Sequence, residues 1–363
     1  LWVAAAAAVF GIQFFAGHAE TSFALGLVWG FYALYRLVNR ARDTGSLRSV
    51  LKPGALLALA AGTGLLLASV QVVPFVSLLE GSSTLQNRVG EIAADGAVAR
   101  TPGEPWRNLL AGINILLPNF FGTPLDENFW SPLRQATYLF KINYIGLTRY
   151  LGLVPLWLAG IGLFSRWHDR PVPVFSALAL VSRAADLRLP VFSLIYEVPP
   201  FSLAGGSVMP GIYMIGPAFL AGFGLDTLAR DPSRRLLKRA WLGLLGLCLF
   251  ALLSALFMYY AIDLFRADEV LQGRLDHGAM LDLFRPFNWR LYFPLAFGLA
   301  GVALVFAYAR RWLATAPAMA LLLLLMAAEL YAFGWDFNPM LPPEQVFPET
   351  AAVGFLRENA GLQ

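Results

Sequence analysis

The 363-residue chain predicts an all-α fold, a polytopic bundle of about nine transmembrane helices with long loops on one face. Three observations lead there. The chain is 58% hydrophobic and only 14% charged, whereas a soluble domain carries about 25% charged residues, and its mean hydropathy is +0.61. Apolar runs of roughly 20 residues recur along it, the length a helix needs to cross a bilayer. Basic residues gather in alternate connectors between those runs, as cytoplasmic loops do.

The predicted spans are 1–16, 20–36, 54–78, 145–164, 172–183, 208–228, 240–262, 291–309 and 315–335. The first two meet at "GHAET", too short to be more than a tight turn. The fifth, "VPVFSALALVS", is the weak one. A helix of about 11 residues rises about 16 Å against a hydrocarbon core of about 30 Å. Charge decides that it crosses. With nine crossings, one side holds "RLVNRARDTGSLRSVLK", "SRWHDR", "ARDPSRRLLKR" and "ARR", with 14 Lys/Arg against the three acids Asp43, Asp169 and Asp231. The rest of the chain, Arg149 included, carries 13 basic and 20 acidic residues. Removing the fifth crossing would put the two most basic connectors on opposite faces. The basic side is therefore expected to be cytoplasmic.

Residues 1–335 form the transmembrane domain, with 79–144 as a large outer loop. That loop holds Trp106, Phe120, Phe121, Phe129, Trp130 and Tyr138. Disordered segments are poor in aromatic residues, so it is expected to fold against the helix ends, with "NILLPNFF" as an interfacial or re-entrant helix. Residues 336–363 turn Pro-rich and then read as a short helix capped near Thr350, the expected start of a truncated outer soluble domain. The first residue, Leu1, already lies in an apolar run, so the chain reads as a piece beginning within a helix. No fixed-period repeat is present, which disfavours an inverted-repeat transporter.

No phosphate-binding loop, dinucleotide fingerprint or His-Glu-x-x-His pair occurs. With three histidines and the lone Cys248, no metal site or disulfide is expected, and no cofactor. The net charge of +4 is spread along the membrane connectors, so no nucleic-acid partner is expected.

Several segments resemble the bacterial YfhO-like integral membrane proteins, of the wider GT-C class of lipid-linked-sugar glycosyltransferases. They are "AGHAETSF", "LLPNFFG", "YLGLVPLWLAGIGLF", "LPVFSLIYEVPPFS" running into "PAFLAGFGLD", and "FNPMLPPEQVFPETAAVGFLREN". They follow the family's order over nearly the whole chain. Two departures stand out. Family members carry an arginine after the "PPFS" segment, where this chain reads "LAGGSVMPGIY". GT-C enzymes also carry an essential acid in their first outer loop, which here would fall upstream of Leu1. The resemblance implies a protein of the bacterial cytoplasmic membrane that moves a sugar from a polyprenyl-phosphate donor to an envelope polymer or glycan acceptor outside.

Such a reaction needs a carboxylate as general base and cations or amides to receive the phosphate. The candidate bases are Glu20 and Glu80. His18, Arg88, Arg107, Asn119, Tyr196 and Asn338 are the candidate substrate-binding residues, with Glu197 beside Tyr196. Arginine suits phosphate because its planar fork binds two oxygens at once. Each has a plainer reading. His18 and Glu20 would cap two helices, Glu80 would be an interfacial carboxylate, and the arginines would be solvated or touch headgroups. Tyr196 would sit in an aromatic belt, and the asparagines would serve turns. Glu329, within span nine, is either a functional carboxylate or one that snorkels outward. The alternative to an enzyme is a non-enzymatic transporter of lipid-linked sugars or an envelope assembly scaffold. A transporter would line a path across the membrane with polar groups, and mid-span the sequence offers only Thr63, Gln71 and Ser254.

Overall fold

In a computed structural model of the chain, the described residues are 1–80, 109–126, 144, 148–187, 189–198, 201, 208–231, 233–266, 277–335 and 350–359. Every regular element among them is helical. The helices are α1 (Trp2–Ile12), α2 (Ala19–Thr44), α3 (Arg48–Glu80), α4 (Leu153–Ser165), α5 (Pro171–Asp186) and α6 (Val208–Arg230). They continue with α7 (Arg234–Arg266), α8 (His277–Phe284), α9 (Trp289–Ala309), α10 (Thr315–Gly334) and α11 (Ala351–Asn359). Six of them, α2, α3, α6, α7, α9 and α10, are long and apolar enough to cross a membrane. Their outward surfaces are apolar. Leu59, Leu66 and Val70 of α3 and Leu253, Phe257 and Tyr260 of α7 face outward. So large an outward apolar surface suits lipid and not water.

A helix stands at each of the nine predicted positions, but only six are long and apolar enough to cross a membrane; α2 runs on to Thr44, α3 begins at Arg48 and α7 at Arg234, and the fourth and fifth also change their bounds. The fourth begins at Leu153 and not at 145, because 148–152 has no regular structure and its Gly152 has a φ of +92°. Its 13 residues rise about 20 Å. The fifth runs on to Asp186, because Arg183 and Asp186, which look like the polar end of a span, are paired with each other, Arg183 buried and Asp186 nearly so. Helix α8 forms where the sequence suggested only loop. Thr350 caps α11 as expected, its Oγ1 accepting from the Val353 N–H at 3.3 Å.

Helix α4 lies at the centre. Its Leu153, Val154 and Leu158 are wholly buried among α6, α7, α9 and α10. Backbones touch where it crosses α6. A Cβ on Gly162 would lie 2.1 Å from the Leu220 carbonyl oxygen, and one on Gly224 would lie 1.9 Å from that of Leu158. Small residues allow this approach in membrane bundles, where packing replaces the hydrophobic drive. The Trp157 indole N–H donates to the Ala240 carbonyl of α7 at 2.8 Å. On the other flank α1 packs on α3, with Gly64 against the carbonyl of Ala7. Helix α2 joins that flank to α6, Ala24 and Val28 packing with Met209 and Ile212.

Polar contacts collect the helix ends into two sets. At one end Arg170 pairs with Asp43, Arg166 with Asp226, and the Tyr308 hydroxyl donates to the Leu228 carbonyl. At the other, Arg149 pairs with Asp186, Asn119 bonds the start of α9, and Tyr150 bonds Glu329 near the end of α10. The first set lies on the basic connectors, and the second is where the outer face was placed.

Candidate functional site

The second end is roofed by residues 109–126. The interfacial helix expected over "NILLPNFF" is instead a short 3-10 turn, Ala111–Ile115, followed by tight turns. Pro118 interrupts the segment and cannot donate a backbone hydrogen bond. Leu117, Phe120 and Phe121 are buried in the main core, with Phe120 edge-on to Phe284 of α8 at 5.1 Å. This apolar side ties the segment down and sends its polar groups into the helix ends.

Two polar clusters result. In the first, Asp186 at the end of α5 receives Arg149 in a bidentate pair, both bonds at 3.0 Å, and also binds Arg183 one turn back. The second guanidinium continues to the Asn114 side-chain oxygen and the Ala111 carbonyl, both at 3.4 Å, and lies 5.6 Å from the Tyr213 ring centre. The Nε of Arg183 is buried without a hydrogen-bond partner. Two guanidiniums thus share one carboxylate in a nearly buried setting. Burying charge is costly unless it is paired and hydrogen-bonded. In the second cluster the Asn119 amide donates to the Arg290 carbonyl at 2.7 Å and accepts from the Tyr144 hydroxyl at 2.5 Å. Arg290 reaches Asp126 at 3.3 Å, and Asp126 is held by Thr123 at 3.1 Å.

Glu329 is fully buried. Its carboxyl receives the Tyr150 hydroxyl at 2.5 Å and the backbone N–H groups of Leu153 and Val154 at 2.6 and 3.2 Å. Those two are among the first amides of α4, which have no partner within their own helix. Glu329 therefore caps α4 from α10, and the expectation that it snorkels outward is corrected. Gly152 leaves the room: a Cβ there would lie 3.1 Å from Glu329 Oε2.

The sequence-predicted residues fall unevenly on this end. His18 is the exposed N-cap of α2, its Nδ1 accepting from the Thr21 N–H at 3.2 Å. Glu20 is in the first turn of α2 and Glu80 is the last residue of α3, both described in backbone only. Ala24, one turn after Glu20, packs in one cluster with Ala185, Tyr196, Val208 and Met209. The His18–Glu20 turn is thus at the same end as Asp186. Tyr196 is buried in that cluster and does not sit in an aromatic belt. Asn119 is buried, with both ends of its amide bonded within the protein. Arg88, Arg107 and Asn338 lie outside the described residues. The sequence reading missed Arg149, Arg183 and Asp186 as a group. The signal was an i, i+3 Arg–Asp pair closing an apolar run, a spacing that places both on one helix face. Among the described residues no group of three His, Cys, Asp or Glu could hold a metal ion.

No family model, curated protein or solved structure matches this chain.

Proposed function

We propose that this chain is a nine-span protein of the bacterial cytoplasmic membrane that acts on a polyprenyl-phosphate-linked sugar outside the cell, transferring the sugar to an envelope glycan. The observation that carries the reading is the one-sided placement of buried polar chemistry. Guanidiniums, amides and carboxyls are concentrated under a folded roof at the end opposite the basic connectors. A lipid-linked donor keeps its prenyl tail in the bilayer and its phosphate at headgroup depth, the level this reading gives the roof.

In this reading Glu20 or Glu80 takes the proton of the acceptor hydroxyl as its oxygen attacks the sugar's anomeric carbon. The bond from that carbon to the phosphate oxygen breaks, and the polyprenyl phosphate leaves with the electron pair. Arg88 and Arg107, which the sequence assigns to the outer loop, offset the charge that develops on the leaving group. His18 positions the turn that carries Glu20. The transporter alternative lacks a path of polar groups among the described residues. Thr63 and Gln71 face outward on α3, and the Ser254 hydroxyl bonds its own helix through the Phe250 carbonyl.

The test is transfer by the purified full-length protein in proteoliposomes holding a radiolabelled polyprenyl-phosphate sugar and an envelope-glycan acceptor. Glu20→Gln and Glu80→Gln are compared with the parent at equal monodisperse yield. The reading expects one of the two to lower turnover by about 10²-fold or more, as loss of a general base does. Unchanged turnover in both variants, or no transfer by the parent protein, contradicts it.

A further inference from the structure

A cavity of about 720 Å³ opens at the basic end of the bundle, away from the roofed end. It lies between α2, the start of α3 and the α4–α5 connector. Its walls are fastened before any ligand arrives. Arg170 forms a two-bond pair with Asp43, one bond at 2.7 Å, and the Tyr35 hydroxyl donates to the Arg170 carbonyl. Arg40 Nε donates to the Ser49 carbonyl at 3.0 Å, and Thr44 bonds the Ser49 hydroxyl at 2.7 Å.

The lining has a gradient. Arg36 and Arg40 are exposed and one turn apart on the face of α2 that borders the cavity. Arg36 donates to the Tyr32 hydroxyl at 3.3 Å, and among the described residues neither arginine pairs with a carboxylate. Asp43, the one acid in the lining, is already occupied by Arg170. Deeper along α2 and α3 the lining turns apolar, with Ala33 and Leu57. Two unpaired guanidiniums at the rim above an aliphatic floor match a phosphate headgroup with acyl chains below it. Basic pockets between helices on the cytoplasmic side bind phospholipid headgroups on this principle.

We infer that this cavity is a binding site for an anionic phospholipid of the inner leaflet, the phosphate held by Arg36 and Arg40 and one chain lying along Ala33 and Leu57. The site is independent of the sugar-transfer reading, since it lies at the opposite end and shares no residue with it. An aliphatic floor favours a lipid over a free phosphate, which would leave that floor without a partner.

The test is native mass spectrometry of the full chain in mild detergent. It is titrated with phosphatidylglycerol, with phosphatidylcholine of the same acyl chains, and with soluble glycerol phosphate. The expected result is preferential retention of phosphatidylglycerol, weakened about tenfold in the Arg36→Gln/Arg40→Gln variant, as two leaflet-facing guanidiniums imply. The control Arg234→Gln/Arg235→Gln removes equal charge from the same face at α7 and is expected to bind like the parent. Equal retention of the two lipids overturns the inference. So does equal weakening by both double variants, which would mean diffuse attraction to a basic face. Glycerol phosphate displacing the lipid at equal concentration would make the site one for free phosphate, and also overturns it.

Discussion

Glu329 shows how one residue can be conspicuous in the sequence and carry a different role in the fold. A carboxyl four residues past a leucine run marks itself as unusual, but its partners lie at Tyr150, Leu153 and Val154. No local pattern joins positions 150 and 329, so its capping of α4 was not legible. His18 is the opposite case. Its cap bond closes within three residues, at Thr21, and the turn "GHAET" between apolar runs announced it. The Glu329 assignment makes a graded prediction. Glu329→Gln keeps an acceptor for the α4 amides and costs about 1 kcal/mol, whereas Glu329→Ala strands three buried donors and costs about 3 kcal/mol. Thermal unfolding of both variants in detergent measures the difference. Equal midpoints for Glu329→Ala and the parent would refute the capping role.

At the scale of elements, the helices were legible because each apolar run is its own signal, independent of its neighbours. Their ends were less so. The break before α4 depends on Gly152 making room for a carboxyl from α10, and the extension of α5 depends on Arg149 meeting Asp186. Both are long-range events that erase the local cue of a polar residue ending a span. The crossing of α4 and α6 was also invisible, since Gly162 and Gly224 look like any glycines in an apolar run. In the structure each lies within backbone contact of the other helix. Backbone cannot move aside as a flexible side chain can, so Gly224→Ala is expected to destabilise by about 1–3 kcal/mol, the usual cost of overpacking. Gly222, with open space around its missing Cβ, is the matched control, and Gly222→Ala is expected to leave the midpoint nearly unchanged. The comparison is a pair of thermal melts of purified protein; equal midpoints in the two variants would contradict the crossing.

For the whole molecule, charge and polarity divide along the bundle axis. Short connectors rich in arginine hold one end, where Arg170, Arg166 and Arg230 bind Asp43 and Asp226. The other end buries its polar groups under residues 109–126, and the proposed sugar chemistry belongs there. The count of basic residues in the sequence anticipated this division, because the rule that sorts them is global and needs no contact information. The composition of the roof was only partly anticipated: its aromatic residues promised order, while its polar partners on α5 and α9 lay far along the chain. The account therefore stands on which end faces outward. Cys248 is replaced by Ala, and single cysteines are introduced as Ser46→Cys between α2 and α3 and as Phe287→Cys before α9, where the side chain is 97% exposed. Intact cells are then treated with a membrane-impermeant maleimide. The account predicts labelling at position 287 without permeabilisation and at position 46 only after it; labelling of position 46 in intact cells would contradict it.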